Sequence, residues 1–276
     1  MKKFLPIMMC AILLLTPVLA LADSTATITG DMVNLRSGAG LGYSRVCYLY
    51  RGDAVTVTGA SGDWTRVIYN GQSGYVYSQY VSASSAGSST GNLRYGSRGG
   101  EVAALQENLI LLGYLNGAAD GIFGNITYAA VRGYQMKNGL AVDGIAGIVT
   151  QNAIRAEAQR VRTVISTARQ YLGLAYQTGG VSPSTGFDCS GFTQYCFKQA
   201  GVSIPRVSYE QAAGGITVSQ SAMRPGDLVC FNSPVSHVGI YLGDGQFIHS
   251  PKAGDVVKIT LLQYMDLTKV VRYTGK

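Results

Sequence analysis

Groups that titrate near neutral pH are scarce in this sequence of 276 residues, which holds two histidines, His237 and His249. Charged residues make up only 13% of the chain, and Lys and Arg occur mostly singly. A positive balance this scattered argues against nucleic-acid binding. Beyond residue 22, no apolar run approaches the roughly 18 residues that a membrane span needs. Any general base near neutral pH must therefore be one of two side chains.

The first 22 residues have the composition of a signal peptide. Two lysines precede an apolar run over residues 4–19, and three small or apolar residues follow it. We therefore expect a mature chain that begins at Asp23 and is secreted and cell-wall associated. A lipid anchor at Cys10 is an alternative, but Met9 stands where a lipoprotein signal has a small residue. Loss of the two lysines lowers the formal charge from +7 to +5, which suits work beside an anionic wall polymer.

The number and spacing of the cysteines do not show whether they form disulfides or stay free. Without Cys10, the mature chain keeps an even number in an oxidising compartment, namely Cys47, Cys189, Cys196 and Cys230. The chain is nevertheless long enough to bury real cores without disulfides. Cys196 and Cys230 lie in the apolar runs QYCF and LVCF, which favours small buried side chains.

Residues 23–82 alternate short strand patterns with Gly-rich turns, among them the hairpin dipeptide Asn70-Gly71. This pattern predicts a small all-β barrel. The motifs NLRS, GD, W and GYV occur in the order of the bacterial SH3-like (SH3b) domain, which the segment resembles. The resemblance implies binding to wall peptides or framing of a neighbouring active site. Trp64 is then either a ligand platform or a core aromatic, and we favour the core.

Residues 83–92 are rich in Ser and Gly and predict a flexible linker. In residues 93–156, apolar spacing predicts a helix that ends near Gly113, and two similar Asp-Gly turns follow at 120–127 and 143–150. One Asp in each turn is too few for calcium, which favours turns that lead into helices. Thr127 and Thr150 are expected to be caps or first-turn residues.

The runs LQENLILLGY and VRGYQMKNGLAVDGIAG resemble the peptidoglycan-binding-1 domain, a three-helix module. This resemblance implies binding to wall glycopeptide. A helical pattern from 155 to 172 then leads into a last domain at 157–276, where a helix, a loop and a helix precede several strands.

The stretch FDCSGF predicts a helix that starts at Cys189, with Asp188 as its N-cap and Gly201 as its stop. The helix dipole and the unpaired N–H groups of the first turn would lower the pKa of the Cys189 thiol. Ser190 and Gly191 are expected to keep the approach open. Cys196 lies two turns deeper in the helix, where the dipole and the unpaired N–H groups of the first turn no longer act on its thiol.

The two histidines lie on HVGIYL and QFIHS, two strand-like runs joined by Gly-Asp-Gly. If Asp244 is the centre of the turn, Gly239 faces His249, and His237 is the diagonal neighbour of His249 on one sheet face. His237 can then act as a base toward Cys189, and His249 can orient its ring. Two alternatives are a pair of buried structural histidines and a Cys-His-His metal site, which would lack a fourth ligand.

Residues 159–274 resemble the NlpC/p60 family of papain-like cysteine peptidases, with AYQTGG, FDCSGFTQYCF, IPRVSYEQ, RPGDLVCF and SHVGIYLGDGQFIHS in family order. The resemblance implies that Cys189 is the nucleophile, His237 the base and His249 the orienting residue. It also implies that Tyr176 helps to hold the reacting carbonyl. One departure from the family pattern is Gln177, where many relatives carry an aromatic residue. It leaves the expected shape of the substrate groove open and does not affect the expected chemistry.

The resemblance assigns substrate contacts to Asp188, Ser190 and Ser208, which would recognise the free amine end and the D-glutamyl part of a wall peptide. Each of the four predicted binding residues also has a structural explanation. Tyr176 could pack, Asp188 could cap the helix, Ser190 could simply begin the helix, and Ser208 could be a turn donor. Arg206 could be a surface charge.

We therefore predict a multidomain protein with an SH3-like barrel, a three-helix peptidoglycan-binding domain and a papain-like α+β catalytic domain with an antiparallel sheet. It would be a secreted peptidoglycan hydrolase without cofactor or metal that cuts stem peptides between γ-D-glutamate and the diamino acid. Two other functions are a non-catalytic wall-binding adaptor and an acyl or lipid transferase on the same fold. In such transferases the His precedes the Cys, whereas Cys189 precedes His237 here.

Overall fold

The computed structural model of the protein describes residues 24–30, 33–49, 53–83 and 91–275. The predicted signal peptide with Cys10, Gly52 of the GD motif, and residues 84–90 of the predicted linker lie outside the described residues. In the described part of the chain, no helix combines the length and apolar character required to cross a membrane.

The N-terminal region is all-β, as the strand pattern predicts. Its strands are β1 (Ser24–Ile28), β2 (Val33–Arg36), β3 (Arg45–Leu49), β4 (Ala54–Ser61), β5 (Trp64–Tyr69), β6 (Gln72–Tyr77) and β7 (Val81–Ala83). They form one antiparallel sheet in the order β3-β2-β6-β5-β4-β1-β7. Asn70 and Gly71 turn from β5 to β6 with φ values of 48° and 78°, the backbone that this dipeptide favours.

Trp64 does not lie in the core of this sheet, contrary to the expectation. It is half-buried at the start of β5, and its ring meets Tyr77 edge-on with 5.5 Å between centroids. Tyr77 in turn meets Tyr80 at 6.5 Å, and both tyrosines are 37% exposed. The core is instead filled by aliphatic side chains, Cys47 and Tyr69, since alternate residues on each strand face inward.

Three helices follow, α1 (Gly100–Leu111), α2 (Asn125–Lys137) and α3 (Ile148–Gln170), as predicted for the middle region. The internal repeat is confirmed by two equivalent networks. Gln106 Nε2 contacts Asp120 Oδ1 at 2.8 Å and Thr127 Oγ1 at 2.9 Å. In the second copy, Gln135 Nε2 contacts the carboxylate of Asp143 at 2.9 Å and Thr150 Oγ1 at 3.2 Å. Both threonines are first-turn residues of their helices.

Helix α3 runs through the predicted domain boundary at 156/157 without a break. Its first half packs in the core of the helical module through Ile154 and Ala158, and its second half packs in the core of the last domain through Val164 and Ala168. A buried ion pair between Glu157 on α3 and Arg224 also joins the two. The helical module and the last domain therefore share one element.

The last domain is α+β with an antiparallel sheet. Its elements are β8 (Val181–Ser182), β9 (Gly186–Phe187), α4 (Cys189–Gln199), α5 (Ser208–Gly214), β10 (Ile216–Val218), β11 (Leu228–Phe231), β12 (His237–Gly243), β13 (Gln246–His249), β14 (Lys258–Leu261) and β15 (Leu267–Arg272). Six strands form a sheet in the order β10-β15-β11-β12-β13-β14, and β8 pairs with β9. Helix α4 packs on α3 and on β12, which brings its first turn to the strand that carries His237.

Candidate active site

Helix α4 begins where the sequence predicts. The Asp188 carboxylate accepts a hydrogen bond from the Gly191 N–H at 2.7 Å, which caps the helix and makes Cys189 its first residue. Gly191 has a different role from the expected one. A Cβ at that position would lie 2.1 Å from the Gly180 carbonyl oxygen, so glycine is required by the close approach of the preceding loop.

The predicted hairpin register is confirmed. Ile240 pairs with Ile248, and extending this antiparallel register by one residue places Gly239 opposite His249. A bulge follows Tyr241 near the turn, but it leaves the histidine end of the hairpin unchanged. Gly239 matters here because a Cβ would lie 2.6 Å from the Phe247 ring and 3.2 Å from the His249 Cβ.

The two imidazoles are in direct contact. His237 Nε2 lies 2.7 Å from His249 Nδ1, with the rings at 77°, and His249 Nε2 lies 3.0 Å from Thr260 Oγ1 on β14. Two proton arrangements fit this chain of hydrogen bonds. If His237 donates to His249 and His249 donates to Thr260, then His237 Nδ1 carries no proton and can accept one. In the reverse arrangement His237 Nδ1 is protonated and cannot accept a proton.

Burial sets the charge state of both rings. It lowers the pKa of His237 to about 4, and it lowers the pKa of His249 to about 3, with a smaller contribution from His237. The side chains that pack on the rings include Phe231 and Phe247, with centroid distances of 5.9 Å and 4.6 Å. Both imidazoles are therefore neutral at neutral pH.

The Cys189 thiol lies against the backbone of β12, next to His237. The N–H of Val238, the residue after His237, acts on the sulfur and lowers the pKa of the thiol, as do the N–H groups of Ser190 and of Cys189 itself. Burial, followed by the charge of Asp188, outweighs them, so the pKa of Cys189 is raised. The prediction of a lowered pKa from the helix start alone is wrong, because it omits burial and the capping carboxylate.

The capping carboxylate is paired. Arg206 holds Asp188 with two contacts, Nη1 to Oδ1 at 3.0 Å and Nη2 to Oδ2 at 2.5 Å, and Nη1 also donates to Ser190 Oγ at 2.8 Å. Asp188 and Ser190, two of the predicted binding residues, thus share one guanidinium on either side of Cys189. Arg206, for which a surface charge was the alternative, is partly exposed but paired with Asp188.

The other two predicted binding residues lie on different loops. Tyr176 is half-buried before β8, and its backbone bridges to Phe187, two residues before Cys189. Burial, followed by the charges of Cys189 and Asp188, raises the pKa of its phenol. Ser208 is half-buried at the start of α5, and among the described residues its hydroxyl makes no side-chain hydrogen bond. The structure does not join Ser208 to the Asp188 cluster by any direct bond.

Three side chains hold the site together, the buried Gln211 and Ser250 and the half-buried Thr260, and the sequence did not reveal their contacts. Gln211 Nε2 donates to the carbonyls of Ser190 and Pro205 at 2.9 Å and 2.8 Å. Ser250 Oγ donates to the Phe187 carbonyl at 2.8 Å, which ties the end of β13 to the residues before Cys189. Thr260 contacts His249. Ser250 and Gln211 end the quoted runs SHVGIYLGDGQFIHS and IPRVSYEQ, but the sequence does not show what their side chains contact.

The described cysteines, Cys47, Cys189, Cys196 and Cys230, are all free. Cys47, Cys196 and Cys230 are buried, whereas Cys189 is only half-buried. Among the residues that the structure describes, no group of three or more His, Cys, Asp or Glu side chains is arranged to hold a metal ion. A thiol at a helix start, against a pair of strands that carries two neutral imidazoles, is an arrangement typical of cysteine peptidases.

Family models match three parts of the chain, in the order predicted. Residues 31–82 match the bacterial SH3 domain, residues 98–154 match a peptidoglycan binding domain, and residues 173–272 match the NlpC/P60 family. Over residues 173–272 the chain thus matches the NlpC/P60 family, a family of cysteine peptidases that hydrolyse peptidoglycan.

Among curated relatives, the chain is 50% identical over 93 residues to "Probable endopeptidase p60" of Listeria monocytogenes, which covers 33% of this chain and 19% of that protein. It is 36% identical over 132 residues to a "Probable endopeptidase" of Corynebacterium glutamicum, which covers 46% and 62% respectively. The chain therefore spans less than two thirds of the length of these relatives. The solved NlpC/p60 domain of the peptidoglycan hydrolase SagA is 38% identical, with 41% of this chain and 97% of that chain covered and a TM-score of 0.39.

Proposed function

We propose that this protein is a secreted peptidoglycan hydrolase that cleaves an amide bond in wall stem peptides. The observation that carries the proposal is the contact of 2.7 Å between His237 and His249 on the strand pair against which the Cys189 thiol lies. A thiol beside a neutral imidazole whose second nitrogen is held by another ring has the parts that acyl transfer requires.

In the proposed reaction, the Cys189 sulfur attacks the carbonyl carbon of the stem-peptide amide while its proton moves to His237 Nδ1. The C–N bond then breaks, and the protonated His237 gives the proton to the leaving amine. The acyl group remains on Cys189 as a thioester. Water, deprotonated by His237, attacks the thioester, and the thiolate takes the proton back as the carboxylic acid leaves.

Because burial raises the pKa of Cys189 and lowers that of His237, the resting pair is a thiol and a neutral imidazole. The proton then moves during the attack, and no stable thiolate–imidazolium ion pair forms beforehand. The role of His249 is to accept the Nε2–H of His237, which keeps Nδ1 free of a proton before the reaction. Thr260 keeps His249 in the matching tautomer by accepting its Nε2–H.

The proposal assigns the selection of substrate to four residues. Tyr176 holds the reacting carbonyl, and Asp188, Ser190 and Ser208 line the groove for the amine end and the D-glutamyl part of the peptide. The bond cleaved is the one between γ-D-glutamate and the diamino acid. The two N-terminal modules hold the enzyme on the wall, for which the matched peptidoglycan binding domain at residues 98–154 is the support.

The test is digestion of purified peptidoglycan, with mass spectrometry of the soluble products. The proposal predicts peptides with a new amine on the diamino acid, absent when Cys189→Ala is used. Wall binding with no released peptide would overturn the proposal in favour of an adaptor. Transfer of the acyl group to an added amine or lipid without hydrolysis would overturn it in favour of a transferase.

A further inference from the structure

The side chain of Arg206 covers the start of α4. Its guanidinium makes both contacts to the Asp188 carboxylate, at 3.0 Å and 2.5 Å, and a third to Ser190 Oγ at 2.8 Å. Gln211 fixes the loop that carries Arg206, because it bonds the Pro205 carbonyl at 2.8 Å and the Ser190 carbonyl at 2.9 Å. The guanidinium is therefore held in place at the helix end, with its side chain about a third exposed (34%).

The Asp188 carboxylate has two opposing effects on Cys189. As a cap it organises the first turn of α4, whose N–H groups favour a thiolate. As a charge next to the thiol it disfavours the thiolate. An unpaired carboxylate at this position would therefore make the helix start a poorer site for a nucleophile.

Among the described residues, four titratable or charged groups lie on the elements that surround the thiol. They are Asp188 before α4, His237 on β12, Tyr176 on the loop before β8, and Arg206 on the loop before α5. His237 is neutral at neutral pH, for the reason given above. The charges that decide thiolate formation are then the carboxylate of Asp188 and the guanidinium of Arg206.

We propose that Arg206 is a positioning residue that cancels the Asp188 charge beside Cys189, so that the helix can keep a carboxylate cap and still support a thiolate. The inference rests on the proposed role of Cys189, but thiolate formation can be measured without any cleavage. Arg206 does not need to touch substrate for this role.

The experiment measures the rate of Cys189 alkylation by iodoacetamide against pH in the full folded chain, with mass spectrometry of the peptide that holds Cys189. The midpoint is the pH at which the alkylation rate reaches half its maximum. In Arg206→Gln it should rise by about one pH unit, because loss of a neighbouring positive charge shifts a thiol pKa by roughly that much or more. In Asp188→Asn, which keeps a good cap, the midpoint should fall. In the double variant the two shifts should cancel and return the midpoint to near the wild-type value.

Lys198→Gln is the matched control, because it removes the same charge from the last turn of α4, about 14 Å along the helix. Its midpoint should not move. Arg206→Lys keeps the charge without the two-pronged contact and should stay closer to wild type than Arg206→Gln. The proposal is overturned if Arg206→Gln leaves the midpoint unchanged, or if the double variant stays as high as Arg206→Gln.

Should Arg206→Gln unfold, the buried cysteines Cys47, Cys196 and Cys230 would also be alkylated. Asp188→Asn alone then decides, since an unchanged midpoint in that variant contradicts the charge argument. A failure of the wall-digestion experiment would leave these midpoints as predicted, so the two proposals fail separately.

Discussion

Two networks of polar side chains in this chain each include a threonine, but they end differently. In the helical module, the Gln135 amide nitrogen meets the Asp143 carboxylate and Thr150, while its oxygen accepts the Gly144 N–H, so the network closes on itself. In the last domain, hydrogen bonds run from Thr260 through His249 to His237. Within the described residues, His237 Nδ1 has no hydrogen-bond partner. A closed network holds structure, whereas one that ends beside a half-buried thiol is available for chemistry.

The largest expected effect comes from breaking the open network, which runs from Thr260 through His249 to His237 and ends beside Cys189. His237→Gln removes the proton acceptor and should lower kcat/KM for stem-peptide release by about a thousandfold, since a general base contributes roughly 100- to 10,000-fold. The counterpart is Gln135→Met, which should leave kcat unchanged and lower the free energy of unfolding by about 1–3 kcal/mol, because it strands buried polar groups. Steady-state kinetics and urea unfolding of both variants check this.

The distinction between a catalytic and a structural network would be wrong if His237→Gln kept wild-type activity, or if Gln135→Met lost activity without losing stability. Gln106→Met is the control for the second variant, because Gln106 makes the equivalent contacts in the first repeat. It should destabilise the protein by a similar amount.

The neutral imidazole pair also predicts how stability depends on pH. Above pH 6.5 the histidines are neutral in both the folded and the unfolded protein. As the pH falls from 6.5 toward 4, the unfolded chain takes up protons that folded His237 and His249 refuse, since burial lowers their pKa values to about 4 and about 3. Each histidine then lowers the free energy of unfolding by up to about 1.4 kcal/mol per pH unit.

Urea unfolding at pH 7, 6 and 5 measures this slope. The double variant His237→Gln, His249→Gln cannot take up these protons in either state, so its stability should change less over the same range. Equal slopes in the variant and the wild type would show that other groups control the pH dependence.

A smaller effect is expected at Thr260, which fixes the far end of the open network. Thr260→Val keeps the shape but removes the hydroxyl that bonds His249 Nε2 at 3.0 Å. With the tautomer less well held, kcat should fall by about tenfold, near the value of one hydrogen bond, with little change in KM. Thr260→Ser keeps the hydroxyl and should restore most of kcat. A rise in KM at constant kcat would instead indicate a substrate contact.

The sequence alone was sufficient for the elements of the site that depend on local pattern. Turn symmetry about Asp244 predicted the pairing that brings His237 to His249, and a capping Asp predicted the start of α4. Arg206 and Thr260 could not be found this way, because their contacts join different elements of the fold. The expectation that Trp64 lies in the core is wrong for a similar reason. A single aromatic residue in a strand pattern does not reveal which face of the sheet packs against the core.

The pKa of Cys189 shows the same limit. The helix start is visible in FDCSGF, but burial and the charge of Asp188 depend on packing, and they have the larger effect. The clearest contrast inside one element is between Cys189 and Cys196, two free thiols on α4, of which Cys196 is fully buried.

The most direct test of the account is the rate of stem-peptide release by Cys189→Ala beside that by Cys196→Ala. The account predicts that Cys189→Ala releases no peptide above background while its unfolding midpoint stays near wild type. It also predicts that Cys196→Ala keeps kcat and loses only stability. Release of peptide by Cys189→Ala at the wild-type rate would contradict the account.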